Sequence, residues 1–131
     1  MSKLFISIPM RGYTPDEIHA EMDWMKDIFD EDIDGDFELI DTVFTDLPPD
    51  GIIRDDTWYL GKSIKAMSEA DVVLFHPAWR EARGCIIEHA ICALYGIPYI
   101  ELTKSPEATK EDETEKETDL NEDSQEKLTL V

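Results

Sequence analysis

The chain has 131 residues, 42% of them hydrophobic, with 31 acidic against 12 basic side chains and a formal net charge of −19. Such a chain suits one domain with an ordinary core, and its surface repels DNA and RNA phosphates, so no nucleic-acid partner is expected. No apolar run approaches a membrane span, and no basic region followed by an apolar stretch opens the chain, so the expectation is a cytoplasmic protein without a membrane partner.

Taken in chain order, residues 3–8 form a short apolar run that reads as a buried strand, ended by Pro9. Thr14, Pro15 and Glu17 then supply an N-cap, a first-turn proline and the closing residue of a capping box. Ile18, Met22, Met25 and Phe29 follow at helical spacing, and the helix fades over residues 30–35. Residues 37–43 read as the second strand, residues 46–56 as a loop, and residues 57–70 as a second helix with Ile64 and Met67 inward. Residues 71–76 form a third strand whose Val72-Val73-Leu74-Phe75 run is apolar on both faces, as at the centre of a parallel sheet. Residues 77–83 read as a turn, residues 84–95 as a third helix capped by Gly96, and residues 97–102 as the fourth strand.

Strands alternating with helices predict an α/β fold with a parallel sheet and right-handed crossovers. The expected strand order is 2-1-3-4, flavodoxin-like, a three-layer sandwich over residues 1–103. Residues 104–131 hold ten acids, four bases and few apolar residues. They cannot bury enough surface to offset their ordering entropy, so a disordered acidic tail is expected there. Cys85 and Cys92 lie seven apart in one helix, roughly 10 Å along its axis, too far to bridge; both are expected to be buried reduced thiols.

In a sheet of this order ligands bind at the carboxyl ends of the strands, beside the switch point between strands 1 and 3. Two loops meet there. The first follows strand 1 and offers Ser7, Pro9, Met10, Arg11 and Gly12. The second follows strand 3 and offers Trp79, Arg80, Glu81, Arg83 and Gly84. Residues 1–103 carry only eight basic side chains against 21 acids, so Arg11, Arg80 and Arg83 in two short loops are a concentration. Each loop leads into a helix N-terminus, whose free N–H groups favour an anion. The functional reading is a phosphate pocket; the bland one is that the arginines offset an acidic surface.

Glu88 lies one turn into an apolar helix, where a carboxylate needs a reason. Aimed at a sugar, it can act as a nucleophile on the anomeric carbon, with a neighbouring acid protonating the leaving base. The alternative is a structural carboxylate paired with an arginine. Trp79 is the favoured flat surface for a base, with Trp58 and Tyr59 read as packing. His76 and His89 are not at metal spacing, and neither a dinucleotide fingerprint nor a phosphate-loop lysine motif is present, so no metal or cofactor is expected.

Ile6-Ser7-Ile8-Pro9-Met10-Arg11-Gly12, Ala70-Asp71-Val72-Val73, and Gly84 followed by Glu88 resemble the nucleoside 2-deoxyribosyltransferase-like superfamily, in particular its small bacteriophage and prophage versions. The resemblance covers residues 3–102. It implies a flavodoxin-like fold, cleavage or exchange of the N-glycosidic bond of deoxynucleosides or their monophosphates, and a homo-oligomer. It puts the nucleophile on Glu88 and phosphate binding on Met10, Arg11 and Gly12. Three positions depart from the pattern. Phe5 stands where a supporting tyrosine is usual. Ser63 stands for one aspartate and Ala82 for another, with Glu81 adjacent as a substitute acid. The expectation is therefore a protein that binds a nucleoside, a nucleotide or a nucleotide-derived molecule. Either it turns the ligand over through Glu88, or it is a weak or inactive enzyme of phage origin that sequesters a host-defence signal such as an ADP-ribose derivative or a cyclic nucleotide. A purely structural interaction module leaves the arginines and Glu88 unexplained.

Overall fold

The computed structural model describes residues 1–103; the tail expected beyond them lies outside the described residues. Four strands, β1 (Ser2–Ser7), β2 (Phe37–Leu39), β3 (Val72–Phe75) and β4 (Tyr99–Glu101), form one parallel sheet in the order β2-β1-β3-β4. Three helices, α1 (Pro15–Asp32), α2 (Asp55–Met67) and α3 (Arg83–Tyr95), connect them. The expected α/β fold and strand order are both present.

The pleat of β1 sorts its side chains between two cores. Leu4 and Ile6, with Ile8 beyond the strand, join Leu74 of β3 under Ile18, Met22, Met25 and Phe29 of α1. Phe5 joins Val73 and Phe75 on the other face, with Met67 of α2 and Cys85 and Cys92 of α3. One helix thus covers one face and two cover the other, as right-handed crossovers from this strand order require. The central pair runs in register from Leu4 opposite Val72 to Ser7 opposite Phe75.

The capping box forms as the sequence predicts. The Thr14 hydroxyl accepts from the Glu17 amide at 3.1 Å, and the Glu17 carboxylate accepts from the Thr14 amide at 2.9 Å. At the far end of α3, Gly96 takes a left-handed φ of 73°, which turns the chain into β4. Both cysteines are buried and free.

Some boundaries differ from expectation. β2 stops at Leu39 rather than Val43. One further ladder bond, from the Ile40 amide to the Leu4 carbonyl, extends it, and then the Asp41 side chain accepts from the Val43 amide at 3.0 Å. That local turn competes with strand pairing. It sends Thr42 inward, to 2% exposure. The turn after β3 contains a single 3₁₀ turn, Trp79–Glu81.

Because the capping box satisfies two helix-end donors at once, Thr14→Ala should cost about 1 kcal/mol of stability, with Thr14→Ser close to wild type. Urea denaturation checks this; equal midpoints for wild type and Thr14→Ala would show that α1 does not depend on its cap.

Candidate functional site

An open cleft of about 900 Å³ lies at the carboxyl ends of β1 and β3, where the chain connections diverge to opposite sides. Pro9, Met10 and Arg11 line it from the loop after β1. Asp56, Tyr59, Leu60 and Ser63 line it from α2, at the spacing of one helix face. Glu81, Arg83, Gly84, Cys85 and Glu88 line it from the 3₁₀ turn and the start of α3. Thr42, Val43 and Phe44, after β2, complete the wall.

Glu88 is buried, at 6% exposure, between the buried Cys85 and Cys92 on the inward side of α3. Its Oε1 accepts a hydrogen bond of 2.6 Å from the Ser7 hydroxyl. Burial pushes its carboxyl up to about 7, and the Ser7 bond pulls the other way. No arginine reaches it. Arg83 instead donates to Oδ2 of Asp56 at 3.1 Å, and Arg11 lies 3.6 Å from the same oxygen. The reading of Glu88 as an arginine-paired structural carboxylate therefore does not describe this site. The two arginines stand at the rim, more than two-thirds exposed. The N-cap of α3 is Ala82, which makes no side-chain bond, so the amides that open the helix have no side-chain cap.

Of the residues singled out from the sequence, the structure gathers Pro9, Met10, Arg11, Ser63, Glu81, Arg83, Gly84 and Glu88 around the cleft. Four others lie elsewhere. Ser7 is only 1% exposed and bonds Glu88 instead of lining the cleft. Gly12 sits in the exposed turn beyond it. Trp79 is 2% exposed, and His89 stacks flat on its ring at 3.8 Å, so it is core and not a platform for a base. Arg80 lays its guanidinium over that same indole, at 4.6 Å, and does not line the cleft. The 3₁₀ turn that carries both residues folds Trp79 onto Phe75 and His89, with Arg80 over the indole.

Tyr59, read from the sequence as packing, is an aromatic residue of the cleft wall. Its hydroxyl donates to the Asp46 carbonyl at 2.8 Å. Asp56 and Thr42 were not anticipated. The 56, 59, 60, 63 stripe was the available signal for Asp56. Thr42 left no pattern, because an irregular segment places it. Among the described residues no group of three His, Cys, Asp or Glu side chains is placed to hold a metal, and no helix is long and apolar enough to cross a membrane. No protein-family profile, curated protein or solved structure matches the chain.

The raised carboxyl carries a cost. Between the ordinary value of 4.5 and about 7 the folded protein holds a proton on Glu88 that the unfolded chain releases. Stability from this group therefore falls as pH rises through that window. Glu88→Gln should be more stable than wild type above pH 7, by on the order of 2 kcal/mol, with the difference vanishing below about pH 4.5. Thermal unfolding at pH 8 and pH 4 checks it; a difference independent of pH would contradict it.

Proposed function

We propose that the cleft binds a nucleotide or nucleotide-derived small molecule, its phosphate at Arg11 and Arg83 and its sugar over Glu88. The observation that carries this reading is a buried carboxylate with no cationic partner among the described residues, in a cleft whose rim holds two arginines on a strongly acidic protein. An anion entering there meets guanidinium groups whose present partner is an exposed carboxylate, a weakly held arrangement that exchanges readily. The apolar and aromatic wall, with Tyr59 and Phe44, suits a base. The resemblance of residues 6–12 and of Gly84 and Glu88 to the nucleoside 2-deoxyribosyltransferase-like superfamily supports the same assignment.

In a catalytic version, the ionised Glu88 attacks the anomeric carbon as the bond to the base nitrogen breaks. The departing base takes the bonding electron pair and a proton, and water or a second base then cleaves the glycosyl ester. Glu81, next to the position of a usual acid, is the carboxylate proposed for the proton; Asp56, released by the arginines when they take the phosphate, is the other carboxylate lining the cleft. Phe5 has no hydroxyl and Ser63 no carboxyl. This poverty of helpers favours a second reading: a protein that holds the nucleotide and cleaves it slowly or not at all, as a phage protein sequestering a defence signal would. Loss of a general acid typically removes on the order of a hundredfold to ten-thousandfold in rate.

Calorimetry with a panel of nucleosides, nucleoside monophosphates and ADP-ribose tests the site. Phosphorylated ligands should bind more tightly than nucleosides, and Arg11→Ala and Arg83→Ala should each weaken them about tenfold. Binding indifferent to phosphate and to both substitutions would refute the assignment. Free base, followed in the same samples, separates the two readings.

A second copy of the chain is the partner proposed for α3. Its outer side exposes Ile87, Leu94 and Tyr95, at 40%, 81% and 78%, with Ala90 between. Elsewhere the acidic surface repels a like copy, whereas this face brings no like charges together. Light scattering should give a mass above the 15.0 kDa of one chain, and Leu94→Glu should return it to that value. A wild-type monomer at micromolar concentration would contradict this.

A further inference from the structure

The Ser7–Glu88 contact is the one hydrogen bond between two buried side chains among the described residues. It joins the centre of the sheet to the inward face of α3 across 81 positions of sequence. We propose that Ser7 is the positioning residue of the site: its hydroxyl fixes one oxygen of Glu88 and favours the ionised carboxylate, leaving the other oxygen for the ligand. The inference rests on the proposed reading of the cleft for its purpose, but not for its test.

The anchor is rigid. Ser7 is paired with Phe75 in the central ladder, and its carbonyl accepts from the His76 amide at 3.0 Å. A glutamate has three side-chain torsions and loses its orientation without a fixed partner. Once ionised, Glu88 has no proton to give, so the Ser7 hydroxyl is the donor of this bond. The Cys85 thiol beside the same hydroxyl is pushed up to about 12 by burial and stays protonated, so it does not compete as an anion for the Ser7 proton.

Among the described residues no other side chain hydrogen-bonds Glu88. The Cys85 and Cys92 thiols lie near it on its own helix. The charged or titratable groups around the cleft are Arg11, Tyr13, Asp56, Tyr59, Glu81 and Arg83. Neither arginine bonds Glu88, since both are turned to Asp56. Were the hydroxyl instead accepting from a protonated carboxyl, its removal would lower the midpoint, so the sign of the change separates the two arrangements.

The test is the titration of Glu88 in the full chain, followed by NMR of ¹³C-labelled glutamate carboxyls and assigned with Glu88→Gln. Ser7→Ala should raise the midpoint by about one pH unit, the scale of one charge-assisted bond, and Ser7→Thr should restore it. Should Ser7→Ala fail to fold, Ser7→Cys keeps the size with a weaker donor and should move the midpoint the same way. An unchanged midpoint in the folded variant overturns the proposal, as does a shift that Ser7→Thr fails to reverse. A shifted and rescued midpoint in a protein that binds none of the nucleotide panel upholds the Ser7 role and counts against the reading of the cleft alone.

Discussion

A carboxyl group inside a protein is tolerated only where something offsets its lost hydration. For Glu88 that offset is small: among the described residues, one hydroxyl and no cation. The rest of the molecule is arranged around that shortage. The strand order puts β1 beside β3, so Ser7 arrives under α3 at the point where the chain connections part. The same divergence opens the cleft that Glu88 lines. Replacing the pair with apolar residues would give a sounder core and no site. A buried group held at a cost to stability is a sign of function.

Charge is organised with the same economy. Residues 1–103 hold only eight basic side chains, and two of them meet over a single oxygen of Asp56 at the mouth of the cleft. These exposed pairs contribute little to stability. Their place matters more, because they are local positive charge in a field that otherwise turns anions away. In the proposed function this is where an anionic ligand enters, with Asp56 holding the two arginines beforehand.

Much of this was legible in the sequence. The alternation of apolar runs and amphipathic segments, the Thr14 capping box and Gly96 sufficed for the topology, because local signals and burial agree at those positions. The topology in turn located the cleft, and with it Arg11, Arg83, Gly84 and Glu88. What the sequence hid was decided by tertiary packing. Trp79 sits in a loop with two arginines nearby, as a ligand platform would, yet a 3₁₀ turn folds it onto Phe75 and His89. Its chain neighbour Arg80 follows it. The Asp41 turn shortened β2 and drew Thr42 to the cleft without any periodic pattern. Ser7 was visible as a residue of the motif, but its contact with Glu88 spans most of the domain, which no local spacing records.

The central claim is that the cleft beside Glu88 holds a nucleotide-derived ligand. Amide chemical-shift mapping on the ¹⁵N-labelled protein, titrated with a nucleoside monophosphate and then ADP-ribose, tests it most directly. The account predicts saturable shifts in the amides of residues 10–12, 56–63 and 83–88, with those of residues 18–29 in α1 unmoved. Saturable shifts confined to other parts of the molecule, or none at millimolar ligand, would contradict it.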